Sequence, residues 1–190
     1  MKKNLVFIGG ALGVGKIACA VELKKLLPCC ACLEGEACVD LTPRSESDEV
    51  RALALDNISY LIGNFLACGE VENVILLYSL HDNNTAEELL ARLGAVEFDF
   101  YHITLTASPE TVSARLSWDI RRGNRRRAQI ARALALLPLY DSVDSIKLAT
   151  DDLTPRQVAA RIHCAISSGS PIGHMYSNET CTPLKAEETL

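Results

Sequence analysis

Val6-Phe7-Ile8-Gly9-Gly10-Ala11-Leu12-Gly13-Val14-Gly15-Lys16-Ile17 is an apolar run that breaks into glycines and then meets one lysine. It reads as a strand feeding a loop that binds phosphate. Gly10, Gly15 and Lys16 match the spacing G-x-x-x-x-G-K. Glycine permits backbone angles that turn successive N–H groups inward, forming a concave nest for an anion. Downstream, Ala20, Leu23, Leu26 and Leu27 recur at helical spacing within Ala18 to Leu27, so the loop is expected to end at a helix N-terminus whose dipole favours the same anion. Gly10, Ala11, Leu12, Gly13, Val14, Gly15, Lys16 and Ile17 are therefore the candidate polyphosphate contacts. One position departs from the full motif, which ends in Ser or Thr and uses that hydroxyl as a direct Mg²⁺ ligand; Ile17 has no oxygen to offer.

The bulk numbers set the frame. A chain of 190 residues with 48% hydrophobic content is of single-domain length and buries a core without staples. The net charge of −5 disfavours nonspecific nucleic-acid binding, with Arg121 to Arg127 as a local exception. The 8 cysteines are scattered, several of them inside apolar segments, where a thiol behaves as a small hydrophobe; reduced thiols are expected. Cys29, Cys30, Cys32 and Cys38 form no double C-x-x-C set and have no histidine nearby, so no metal site is assigned. Lys2-Lys3, an apolar stretch and Ala18-Cys19-Ala20 imitate a secretory signal, but Lys16 interrupts it where such a signal is most apolar. A cytoplasmic protein is expected. No apolar run is long enough to span a membrane.

Short apolar runs alternate with amphipathic stretches, which argues for an α/β fold with a mainly parallel sheet. Strands are expected at Asn4 to Ile8, Cys29 to Leu33, Asn73 to Leu80, Phe98 to Leu105 and Ser145 to Ala149. Between them lie a long helix capped near Ser47 or Asp48, with Val50, Leu53, Ala54, Ile58, Leu61, Ile62 and Phe65 as its apolar face, a shorter one over Thr85 to Leu93, and one opened by Ser108-Pro109-Glu110. Ile130 to Leu137 forms another, and Thr154 caps the last, which runs through Ile166. The composition shifts past Ser167, dividing the chain into a body, 1–167, and a tail, 168–190, expected to be peripheral or disordered.

Three further stretches carry chemistry. Leu33-Glu34-Gly35-Glu36 sets two carboxylates across a glycine at a strand's carboxyl end, where open α/β sheets hold ligands; the pair contacts an acceptor group or hydrated Mg²⁺, or is a solvated acidic turn. Asp82, just past the third apolar run, is the nearest carboxylate to close that strand. Arg121-Arg122-Gly123-Asn124-Arg125-Arg126-Arg127 is a dense basic patch in an acidic chain. Its planar forks suit phosphate oxygens, as a lid over a transferring phosphoryl group, or the patch is a solvated surface or an RNA contact.

With these pieces placed, the body from about Lys3 to Ile166 resembles the nucleotide and small-molecule kinase branch of the P-loop NTPases, in particular small ATP-dependent kinases labelled AAA or P-loop proteins. Gly10 to Lys16 match the phosphate loop, Leu33 to Glu36 an acceptor-site Leu-Asp-Gly-Asp, Arg115 and Arg122 to Arg127 the helix and lid arginines, and Ala149 to Pro155 the segment by the adenine. The resemblance implies a three-layer sandwich: a five-stranded parallel sheet in order 2-3-1-4-5, helices on both faces, and ATP with Mg²⁺ at the carboxyl ends of the strands. It implies catalytic roles for Lys16, Glu34, Glu36, Arg122 and Arg125, and nucleotide contacts from Arg115 and Asp151. The partners implied are a nucleotide and a small-molecule acceptor. Ile17, the Glu residues in place of Asp and the displaced Asp82 all weaken the metal position. A kinase and a nucleotide-binding sensor or interaction protein with reduced chemistry are the two functions this sequence supports.

Overall fold

The computed structural model describes residues 2–169 apart from 44, 46, 80, 95, 124 and 125. β1 (Lys3–Gly9) is followed by α1 (Lys16–Leu23), β2 (Cys30–Glu34), α2 (Asp48–Ala67), β3 (Asn73–Leu77), α3 (Asn83–Arg92) and β4 (Phe98–Thr106). α4 (Pro109–Arg121), α5 (Ala128–Leu136), β5 (Ile146–Ala149) and α6 (Pro155–Ser167) complete the order. The five strands form one sheet in the order β2-β3-β1-β4-β5, every pairing parallel, as the sequence led us to expect. Because all five point the same way, their carboxyl ends share one edge, and the described candidate site residues lie at that edge or on the connections leaving it.

The two faces bury separate cores. On one, Val6, Ile8, Ile75, Ile103 and Leu105 pack with Leu23 of α1, Leu116 of α4 and Ile162 of α6. On the other, Leu5, Phe7, Val74 and Leu76 pack with Leu55, Ile58 and Ile62 of α2 and Leu89 of α3. Residues of β1 and β3 alternate between the cores, as period-two side-chain direction requires. All of β3 is buried, as its unbroken apolar run predicts. His102 in β4 lies on the second face between Phe7 and Phe100, with Nε2 unpartnered. Burial pushes its pKa down to about 4, and nearby Lys147 pushes the same way, so the ring is neutral near pH 7.

Local signals place most helix starts. Ser47 accepts from Val50 N, Ser108 from Thr111 N, and Thr154 forms a capping box with Gln157. Three expectations change. α1 stops at Leu23, leaving Leu27 buried and Leu26 41% exposed in the turn beyond it. The buried stripe of α2 is Ala54, Leu55, Ile58, Ile62 and Leu66, while Leu53 is exposed. β3 ends at Leu77, not Leu80, because the chain leaves the sheet to enter α3. Among the described residues no helix is long and apolar enough to cross a membrane. The expected tail lies outside the described residues from 170 onward.

Candidate active site

The core of β1 ends at Gly9, and the next residue turns the chain with φ 130°. A side chain on Gly10 would place Cβ 2.4 Å from the Leu105 carbonyl oxygen, so β4 passes too closely for any other residue. Gly13 and Gly15 also have positive φ, at 92° and 106°, and Gly15 is the N-cap of α1. That helix has no acidic side chain in its first turn, which leaves the positive end of its dipole to an anion. The cradle that only glycine allows fits a polyphosphate.

Lys16 Nζ donates to the carbonyls of Gly10 at 2.6 Å and Ala11 at 3.2 Å, and to Ser79 Oγ at 3.2 Å. The ammonium thus lies along the loop it belongs to, where it can exchange carbonyl oxygens for phosphate oxygens. From behind, the loop is pinned at Val14. Its carbonyl lies 3.0 Å from the buried Thr150 hydroxyl and accepts from Arg115 Nη1 at 3.2 Å. Arg115 also donates to Thr150 Oγ1 at 3.0 Å and to Thr150 O at 2.7 Å, so its guanidinium ties the loop to the turn after β5. Asp151, in the same turn, accepts from Ser108 N at 2.8 Å and Ser108 Oγ at 2.6 Å. Those bonds, with Thr111, hold its carboxyl down to about 2.

A second group of candidate residues stands at the ends of β2 and β3. A 3₁₀ turn, Gly35–Cys38, follows β2. Gly35 is buried against Tyr78, and a Cβ there would lie 2.6 Å from the Tyr78 ring. This close approach brings Glu36 to the end of β3, where its Oε1 accepts the Ser79 N–H at 3.0 Å. Glu34, at the end of β2, is exposed. Tyr140, carried by the 3₁₀ segment Leu137–Ser142, is 2% exposed. Burial, then the Glu36 charge, pushes its phenol up to about 12, and the Ser79 side chain draws it part of the way back. A cleft of about 240 Å³ opens beside Tyr140, lined also by Ala11, Leu105, Ala107, Pro109 and Pro138.

The structure therefore brings Lys16 and Glu36 together through Ser79, a residue the sequence reading did not single out. Its signal was its place as a polar residue near the end of the apolar run from Asn73 to Leu80. Tyr140 carried none. Asp82 is corrected: it is the N-cap of α3, its Oδ1 accepting from Thr85 N at 2.7 Å and its Oδ2 from Thr85 Oγ1 at 2.9 Å. It caps a helix and does not close β3. Ile17 is 51% exposed at the start of α1. Arg122 ends α4 with its guanidinium 3.7 Å from the centroid of the Trp118 ring. Arg125 lies outside the described residues.

The donor set for a metal is poor. Ile17 has only carbon, both Asp82 oxygens serve α3, and among the described residues no cluster of three His, Cys, Asp or Glu could hold a metal ion. The residues present fit a polyphosphate and do not fit a directly coordinated Mg²⁺. The cysteines bear no disulfide among the described residues, and burial raises the Cys30 thiol to about 11, which makes it inert.

No protein-family model and no curated protein matches the chain. Solved structures do. A tunicamycin resistance protein from Deinococcus radiodurans is 24% identical, with a TM-score of 0.58 over 92% of this chain and 100% of its own. A gluconokinase from Sinorhizobium meliloti 1021 is 16% identical, with a TM-score of 0.59 over 87% of this chain and 94% of its own. A shikimate kinase from Acinetobacter baumannii, solved with shikimate, is 17% identical, with a TM-score of 0.55 over 88% and 94%. The sheet order, the glycine loop at the end of β1 and these likenesses together give the chain the fold of the P-loop kinases.

Proposed function

We propose that the protein is an ATP-dependent kinase that transfers a γ-phosphoryl group to a hydroxyl of a small molecule. One observation carries this reading: Ser79 joins the two halves of the site, its Oγ 3.2 Å from Lys16 Nζ and its N–H held by Glu36. Loop N–H groups and Lys16 hold the β- and γ-phosphates, and Arg115 keeps the loop in shape from behind. Asp151 and its turn border the nucleotide. Glu36, with Glu34 beside it, orients or deprotonates the acceptor hydroxyl. Arg122 and Arg125, with Arg126 and Arg127, close over the transferring charge. ATP would supply the phosphoryl group, and this chain offers Mg²⁺ no direct ligand at Ile17.

Exposed, oxygen-free Ile17 supports a second reading, a nucleotide-binding sensor or interaction protein with weakened chemistry. The test is ADP release across nucleosides, sugars and antibiotics, with Lys16→Met and Ile17→Thr alongside. The kinase reading expects turnover in the parent and, in Lys16→Met, an affinity for ATP reduced roughly tenfold to a hundredfold, the worth of a charge-assisted contact. A silent parent that binds ATP, together with a large gain of Mg²⁺-dependent hydrolysis in Ile17→Thr, supports the sensor instead.

A further inference from the structure

We infer that β2, an open edge of the sheet, pairs with β2 of a second copy of this chain, antiparallel about a two-fold axis at Ala31. The sheet has two edges, β2 and β5, and they differ. β5 is 4 residues long and carries Lys147, whose Nζ donates to the carbonyls of Tyr140 and Val143. A short strand and a lysine protect an edge from further pairing. β2 reads Cys30-Ala31-Cys32-Leu33-Glu34, with no charge before its last residue. Cys29 O accepts from Asn73 N at 3.3 Å, so Cys29, Ala31 and Leu33 turn their backbone groups to β3, and those of Cys30, Cys32 and Glu34 point outward. Among the described residues no hydrogen bond reaches the N–H or C=O of Cys30 or Cys32.

The sequence of the edge is complementary to itself. Cys30-Ala31-Cys32 reads the same in both directions, so an antiparallel copy centred on Ala31 sets Cys30 opposite Cys32 of the second copy, and the axis repeats that pair. All the outward N–H and C=O groups of the two cysteines then bond to their counterparts. The run that can pair also ends at matching places. Pro28 has no N–H to give, and the Glu34 carbonyl already accepts from Cys38 Sγ at 3.6 Å. Pro28 and Glu34 are equally far from Ala31, so in this register they meet across the axis. Charge fits as well. Glu34 shares a face of the strand with Cys30 and Cys32, which pack against the core that α1 covers, and it comes level with the turn of the second copy where Lys24 stands exposed. On that face α1 packs on β3 and α6, leaving Ile17 51% and Val21 52% exposed one turn apart. A second α1 across the axis gives these side chains an apolar neighbour.

Sedimentation equilibrium of the full chain, with amide hydrogen exchange read at the same concentrations, tests this. At roughly 100 µM chain the parent should sediment at twice the mass of one chain, with the Cys30 and Cys32 amides protected, and dilution should remove both the dimer and the protection. Cys32→Pro deletes an outward N–H, twice over by symmetry, and should weaken association roughly tenfold to a hundredfold. Ala31→Lys and Ala31→Glu each set like charges opposite one another across the axis; each alone should be monomeric, and their equimolar mixture should recover the dimer. Far-ultraviolet circular dichroism checks that the variants fold, and for any that do not, the exchange pattern of the parent decides. A monomeric parent overturns the inference, whether the edge then stays open or takes the strand of another protein. A dimer whose protected amides lie away from β2 overturns it too, as does a folded mixture of Ala31→Lys and Ala31→Glu that fails to associate.

Discussion

The two halves of the proposed site, one for phosphate and one for the acceptor, are built by different means. The phosphate half is a backbone device: positive-φ glycines, a helix N-terminus and one lysine, with Val14 held from behind by Thr150 and Arg115. The acceptor half is a side-chain device drawn from separate stretches, with Glu36 following β2, Ser79 following β3 and Tyr140 following α5. A backbone nest recognises phosphate whatever the rest of the ligand is. An assembly of side chains is where a substrate is chosen, and it can change without touching the loop.

Substitutions can break this contrast. The largest effect is expected from the two close-approach glycines taken as a pair. Gly10→Ala sets a methyl against the rigid β4 backbone in a left-handed conformation and should cost roughly 2–5 kcal/mol in chemical denaturation. Gly35→Ala meets the Tyr78 ring, which can shift, and should cost about 1–3 kcal/mol, raising the acceptor KM far more than the ATP KM. Equal effects of Gly35→Ala on both KM values would remove the division into halves.

A smaller change sharpens the metal question. Asp82→Ala removes the cap of α3 and should lower stability by about 1 kcal/mol while leaving any Mg²⁺ dependence of turnover as it was. A collapse of turnover without loss of stability would return Asp82 to the metal.

The smallest effect concerns acid. The Asp151 carboxyl is depressed from 3.8 to about 2, chiefly by the Ser108 side chain, then by the Ser108 N–H and Thr111. A depressed carboxyl contributes stability that is fully present above its unfolded pKa and is lost as pH falls through its folded one. Urea midpoints of the parent should therefore decline between about pH 4 and pH 2, with a shallower decline in Asp151→Asn. Parallel curves would show that the tie between β4 and β5 adds nothing to acid stability.

Much of the fold was legible because its signals are local. The apolar run into Gly10, the buried run of β3, Ser108-Pro109 and Thr154-Pro155 each act within a few residues, and each marks the element it promises. The misread positions are those where tertiary packing overrode a local pattern. Leu53 fits a helical stripe, but the helix is turned so that Leu55 faces the sheet. Asp82 stood near a strand end, yet it also preceded a helix, and the helix took it.

By itself the sequence determined that a glycine loop follows a buried strand, that the strands lie parallel, and that Lys16 stands at the start of a helix, since torsional freedom and hydrophobic period are properties of neighbouring residues. Only the tertiary structure decided that Ser79 stands between Lys16 and Glu36, that Tyr140 is buried beside the Ser79 side chain, and that Arg115 supports the loop at Val14. Those contacts join residues far apart in the chain, and their partners are chosen by sheet order and helix placement, which no local pattern encodes.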